Sequence, residues 1–170
     1  MGKVIKITMP VDDSVVKSLS IGDQLEISGK IFCGRDAVLP QVVKLLTAKG
    51  PDALGVGLQG GAIFHTAVSP AGIGPTTSSK VEIEGTMGAL SGFGIKFHIG
   101  KGALSEETVR ILADHQSLYL ITPPVTALFN NTMTSQRVVA FENEGMEAFF
   151  EVGVKEFPAI VAIAHGKSIY

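Results

Sequence analysis

Between residues 24 and 122 short apolar runs alternate with helical patterns, most of them separated by glycine corners. Gln24 to Cys33 alternates around Gly29, which reads as a strand with a bend or bulge. Past Gly34-Arg35-Asp36, residues Val38, Val42, Val43, Leu45 and Leu46 recur at helical spacing until Gly50-Pro51 stops them. Residues 52–59 read as a glycine-rich loop. Ala62 to Val68 is an apolar strand that leads to a Gly74-Pro75 corner. Val81 to Leu90 then reads as a helix, although Gly85 and Gly88 disfavour it. Ile95 to Ile99 leads to Gly100-Lys101-Gly102. Ser105 next caps a helix running to about His115, with Glu106 and Glu107 in its first turn. Ser117 to Thr122 is a strand ended by Pro123-Pro124. Strands that alternate with helices in this way predict parallel β-α-β units.

The two ends read differently. Lys3 to Ile7 is a short strand, and Pro10 to Leu19 a short helix with Asp12 and Asp13 in its first turn. Val125 to Met133 reads as a short helix and Val138 to Phe141 as a strand. Two final strands, Ala148 to Lys155 and Ala159 to Ala164, meet near Phe157-Pro158. Hairpin-like pairs at both ends predict antiparallel neighbours. The expectation is a mixed α/β fold, with one mixed sheet or two. No repeat, linker or low-complexity segment divides the chain, so residues 1–170 are expected to be a single domain.

Composition narrows the function. Hydrophobic content of 45% and charged content of 18% suit a packed chain. A net charge of −2 gives no electrostatic case for nucleic acid or anionic membranes. Cys33 is the only cysteine, so neither an intrachain disulfide nor a cysteine-based metal site can form. The start, Met1-Gly2-Lys3-Val4-Ile5-Lys6, is too polar for a signal peptide, and no apolar run is long enough for a membrane span. The expectation is a cytoplasmic protein.

The corners carry the candidate chemistry. Ligands of α/β sheets collect where strands end and helices begin, because free backbone amides point there. Arg35 offers a planar fork that suits a carboxylate; the plainer reading is a solvated arginine beside an Asp36 helix cap. Thr76 can donate to a carboxylate oxygen, and either it or Thr77 can cap the next helix; for Thr77 the cap is the preferred reading. Lys80 lies about one turn into that helix. Lys101, between two glycines, stands on an exposed corner. Cations and hydroxyls at successive corners together predict one shared anion site. His65, His98, His115 and His165 show no metal-ligand spacing, and His65 and His98, within strands, read as packed or surface residues rather than ligands.

A Gly-Asp turn at Gly22, a strand into Arg35-Asp36, Gly74-Pro75-Thr76-Thr77 and Gly100-Lys101-Gly102 occur in that order. Glu156-Phe157-Pro158-Ala159-Ile160-Val161 follows near the end. From about Gly22 to Tyr170 the chain resembles the β subunit, or C-terminal domain, of class I iron–sulfur hydro-lyases, the family of fumarate hydratase and L(+)-tartrate dehydratase. The resemblance implies a swivelling β/β/α three-layer domain with mixed parallel and antiparallel sheets. It implies reversible hydration of fumarate to L-malate, or dehydration of tartrate. It also implies a [4Fe-4S] cluster held by three cysteines of a separate α subunit, which this chain would cover while clamping the dicarboxylate. Arg35, Thr76 and Lys101 then match substrate-contacting positions, with Thr76 also the candidate for proton transfer. Lys80 stands where the family has arginine and lacks the bidentate fork. The family's histidine a few residues after Arg-Asp is absent here, where Val38, Leu39 and Pro40 stand. The chain is expected to be inactive without its partner. A tartrate or other hydroxy-dicarboxylate hydro-lyase, or a stand-alone anion-binding module without catalysis, are the alternatives.

Overall fold

A computed structural model describes residues 4–69, 72–76, 80–122 and 131–170; of residues 69, 72–76 and 80–83 it describes the backbone alone. The elements in chain order are β1 (Val4–Thr8), α1 (Asp13–Ser18), β2 (Gln24–Cys33), α2 (Leu39–Lys49), β3 (Ala62–Phe64), β4 (Thr66–Ser69), β5 (Gly72–Thr76) and α3 (Lys80–Gly92). Then follow β6 (Phe97–Gly100), α4 (Glu106–Asp114), β7 (Leu118–Ile121), β8 (Met133–Ala140), a 3-10 helix (Glu142–Glu147), β9 (Phe149–Ala164) and β10 (Lys167–Ser168).

The main sheet runs β1-β2-β3-β6-β7-β9-β10, with β8 also on β9. Strands β1, β2, β3, β6 and β7 are parallel neighbours, while β9 is antiparallel to β7, β8, β10 and β2. Because β9 pairs with both β7 and β2, the strands β2, β3, β6, β7 and β9 close into a ring. Strand alternation then sorts side chains by face. Ile31, Phe64, Phe97, Leu118, Leu120, Phe157 and Val161 fill the interior. Phe32 and Ile63 point outward beneath Val42 and Leu46 of α2, and Tyr119 and Ile163 pack outward against Met87 of α3 and Leu112 of α4. Each fully buried side chain of this size contributes about 1.5–3 kcal/mol by leaving water.

Several expectations change. The amino-terminal pair is parallel, not antiparallel: β1 registers with β2 from Val4↔Gln24 to Thr8↔Ser28, because α1 lies between them as a crossover. Helix α1 is shorter than the sequence pattern, since the Asp12 carboxylate caps it by accepting from the Val15 amide at 3.0 Å. Asp36 does not cap α2; the cap residue is Val38, with no side-chain bond, and proline supplies the first turn. The apolar run after Ala62 breaks at His65, and β4 folds back on β5 rather than continuing the main sheet. Gly74-Pro75 is therefore inside a strand and not at a corner. The two final strands are one, β9, passing through Pro158. Proline is tolerated there because β8 pairing ends at Val154 and β7 pairing begins at Ile160, leaving that edge without a partner among the described residues. The predicted bend at Gly29 is present: its φ is +113°, and the β2–β9 register shifts between Ile27 and Gly29. The expected helix from Val125 lies outside the described residues as far as 130, and Met133 already belongs to β8. Among the described residues no helix is long and apolar enough to cross a membrane.

Candidate functional site

Two of the predicted corners, at Arg35 and Lys101, follow the carboxyl ends of the parallel strands β2 and β6, which flank β3. The register aligns Cys33 of β2 with Phe64 of β3, and Phe64 with Ile99 of β6. Two residues beyond that row in sequence stand Arg35, Thr66 and Lys101. Thr66 in turn registers opposite Thr76, the last residue of β5. Thr76 therefore faces Thr66, which follows β3, while Arg35 and Lys101 follow the strands on either side of β3. Lys80 begins α3, the helix that follows β5. For Thr76 and Lys80 only the backbone is described, and Thr77 lies outside the described residues.

Arg35 is held, but not saturated. Its Nε lies 3.8 Å from Asp36 Oδ1 and 3.7 Å from Glu147 Oε1. Both separations exceed hydrogen-bond length, and Nε is buried without a hydrogen bond, as is Asp36 Oδ1. The side chain keeps 29% of its surface exposed. A guanidinium flanked by carboxylates yet short of partners can accept a further oxyanion in its plane. The Arg35 carbonyl accepts from the amides of Val38 and Leu39, at 3.1 and 2.9 Å, which fixes the turn into α2.

Lys101 is exposed. Its corner is set by packing beneath it, since a Cβ on Gly100 would come within 2.9 Å of the Tyr119 hydroxyl. The following segment is pinned by Glu84 of α3, whose carboxylate accepts from the Ser105 amide at 2.8 Å, its hydroxyl at 2.7 Å and the Thr108 hydroxyl at 2.5 Å. Ser105 is the N-cap of α4 as predicted.

Behind the corners, on the helix-facing side, lies a buried polar group. His65 and His98 are packed residues, as the sequence suggests, with no side-chain exposure. Their rings stack at 5.9 Å between centroids. His98 Nε2 shares a 2.9 Å hydrogen bond with Ser91 of α3. Among the described residues, His98 Nδ1, both ring nitrogens of His65 and the Tyr119 hydroxyl have no hydrogen-bond partner. Each such orphaned atom costs about 1–3 kcal/mol. Desolvation pushes the His65 pKa down to about 3 and holds His98 well below the ordinary histidine range, with His65 and His115 adding to the latter. Desolvation raises Tyr119. Both imidazoles are neutral near pH 7. Metal-ligand spacing, the signal tested in the sequence, passes over this pair. The usable signal is a histidine two residues after Ile63 on a strand whose outer face is covered by helices.

The residues do not suit an iron–sulfur cluster. Cys33 supplies one thiol where a cluster needs three or more, and burial raises its pKa, which disfavours the thiolate.

The model of the fumarase C-terminus family matches residues 2–170. The chain belongs to the fumarase C-terminus family. A provisionally named L(+)-tartrate dehydratase β subunit from Methanocaldococcus jannaschii is 32% identical, with 91% of this chain and 85% of that protein covered. A provisionally named class I fumarate hydratase from Geobacillus stearothermophilus is 28% identical over 99% of this chain, but only 34% of its own length is matched. The anaerobic class I fumarate hydratase of Escherichia coli K12 is 26% identical, with 84% of this chain and 27% of that enzyme matched. This member of the fumarase C-terminus family therefore spans most of one relative and about a third or less of the other two.

Proposed function

We propose that this chain is the β subunit of an iron–sulfur hydro-lyase, first of all a fumarate hydratase that interconverts fumarate and L-malate. The reading is supported by the register of β2, β3 and β6, after which Arg35, Thr66 and Lys101 follow, by the pairing of Thr66 with Thr76, and by a half-buried Arg35 flanked by Asp36 and Glu147. Arg35, Lys80 and Lys101 bind the two carboxylates of the substrate, and Thr76 binds substrate and moves the proton at the reacting carbon. The [4Fe-4S] cluster belongs to an α subunit with three ligating cysteines, where it supplies a Lewis acid. This chain's own part is to bind and orient the dianion and to hold a hydroxyl at the carbon centre. The family membership and the fumarate hydratases among its relatives support this reading. The finer fold description, a single swivelling β/β/α three-layer domain over residues 1–170, and a cytoplasmic location belong to the same proposal.

A second reading, an L(+)-tartrate dehydratase β subunit, is favoured by one specific observation: the relative bearing that name is matched over 85% of its length. Lys80, without the arginine fork, leaves room for a different second carboxylate geometry. Co-expression with an α chain carrying three cysteines, followed by anaerobic assay on fumarate, L-malate and L(+)-tartrate, separates the two. The complex should turn over one substrate and the chain alone none. Turnover by the isolated chain would overturn the two-subunit reading, and a complex inert on all three substrates would leave an anion-binding module.

A further inference from the structure

Strand register brings Glu147 to Arg35. Strands β2 and β9 pair in antiparallel fashion as far as Cys33↔Phe150. Arg35 lies two residues past that pair and Glu147 three residues before it, so both stand at the same end of the sheet. The approach is packed underneath: Phe149 stacks on Phe32 at 5.4 Å between centroids, and a Cβ on Gly34 would come within 3.3 Å of the Phe149 ring. Glu147 ends the 3-10 helix, where the Ala148 amide donates to the Gly145 carbonyl at 3.1 Å. Two carboxylates therefore converge on one atom. Asp36 Oδ1 is 3.8 Å and Glu147 Oε1 3.7 Å from Arg35 Nε. They arrive from different elements, the β2–α2 connection and the 3-10 helix. Nε and Asp36 Oδ1 are buried, whereas the Arg35 side chain as a whole keeps 29% of its surface exposed and that of Glu147 40%.

We propose that Glu147 is a positioning residue for Arg35: with Asp36 it closes the Nε edge of the guanidinium and leaves the terminal nitrogens to take a substrate carboxylate end-on. The inference rests on the hydro-lyase reading above. A guanidinium can offer a carboxylate two forks, one from Nε and a terminal nitrogen, the other from both terminal nitrogens. Burial of Nε removes the first. An arginine free in solvent loses side-chain freedom when it binds, and one already held between two anions loses less. Asp36 adjoins Arg35 in sequence and accompanies any movement of that corner. Glu147 comes from across the sheet, so it is the group that ties the guanidinium to the rest of the fold. A carboxylate that saturated Arg35 would approach to about 2.7–2.9 Å. At 3.7 Å the attraction holds the charge in place without using up a donor.

The test uses the complex with the α chain, on whichever of fumarate, L-malate and L(+)-tartrate the wild type turns over. Glu147→Gln keeps the shape and removes the charge; it is expected to raise KM at least about threefold while kcat stays within about twofold. In an Arg35→Ala background the same substitution should change KM by less than about twofold, because the side chain it positions is gone. A KM raised less than threefold overturns the proposal. So does a lowered KM, which would make Glu147 a competitor of the substrate for Arg35. An equal rise in both backgrounds, the mark of a merely structural role, overturns it as well. A second measurement does not depend on turnover. In the full chain labelled with 15N-arginine, exchange of the Arg35 Nε proton with water should be slow, and at least about tenfold faster in Glu147→Ala. Unchanged exchange overturns the proposal; should Glu147→Ala fail to fold, Glu147→Gln takes its place in this measurement. A complex inert on every substrate sinks the hydro-lyase reading, and the exchange rates then decide by themselves whether Glu147 holds Arg35.

Discussion

Arg35 shows how a single side chain can be both anchored and available. Asp36 and Glu147 lie 3.7–3.8 Å from its buried Nε without forming hydrogen bonds, so its charge is compensated while the side chain as a whole keeps 29% of its surface exposed. Replacement by lysine keeps the charge and loses the planar fork. In the reconstituted enzyme, Arg35→Lys is expected to raise KM about tenfold and Arg35→Ala about a hundredfold, in line with the strength of charge-assisted pairs. Lys101→Ala should likewise raise KM, while Thr76→Ala should mainly lower kcat. Steady-state kinetics on all four variants checks the assignment, and unchanged kcat and KM throughout would dismiss it. Tyr119 makes a separate point. Its hydroxyl is buried and unpartnered, so Tyr119→Phe removes an uncompensated polar group. The substitution should leave urea stability unchanged or raise it by up to about 1 kcal/mol; a loss of that size would reveal a partner of the hydroxyl.

At the scale of elements, the loops that precede strands are tightly constrained. Gly60 has φ +76°, and its amide donates to the Gly94 carbonyl at 2.8 Å while its own carbonyl accepts from Val11 at 2.9 Å. A Cβ there would collide with the Val11 carbonyl, which is backbone and cannot swing away. Gly60→Ala combines the left-handed penalty with this clash and is expected to cost about 2–4 kcal/mol in a urea titration of the chain. A change below 1 kcal/mol would show that the 58–61 turn relaxes freely. The helices were legible because they carry local signals: Ser105 with Glu106 and Glu107, Asp12 before α1, and Gly50 after α2. The hairpin of β4 and β5 was not legible. Its glycines and Pro75 read as a turn, and only the pairing of Val68 with Ile73 and of Thr66 with Thr76 makes the segment a strand.

Across the whole molecule, closure of the ring buries two neutral histidines, and this makes stability depend on pH. His65 has a folded pKa of about 3, below the ordinary value near 6.5 that it regains on unfolding. Between those values the unfolded chain binds more protons, so stability is full above about pH 6.5 and is lost as pH falls towards 3. From pH 7 to pH 5 His65 alone should remove about 2 kcal/mol, and His98 acts in the same direction. Urea titrations at the two pH values measure the loss, and His65→Phe should reduce it. An equal or greater loss in the variant would place the sensitivity elsewhere, for example in the carboxylates.

The sequence by itself determined the alternation of strands and helices, the bend at Gly29, the order of the Arg35, Thr76 and Lys101 segments, and the single thiol that rules out a cluster on this chain. These are local quantities: a period, a cap, a turn residue or a count. Tertiary structure decided that β1 joins β2 in parallel and that β9 runs unbroken through Pro158 to pair with β2 and close the ring. It also set Thr66 opposite Thr76, and left His65 buried with its ring nitrogens without a partner among the described residues. Each of these depends on which distant backbone satisfies a strand's amides and carbonyls. That choice is made by packing across the closed sheet, and no short window of residues contains it.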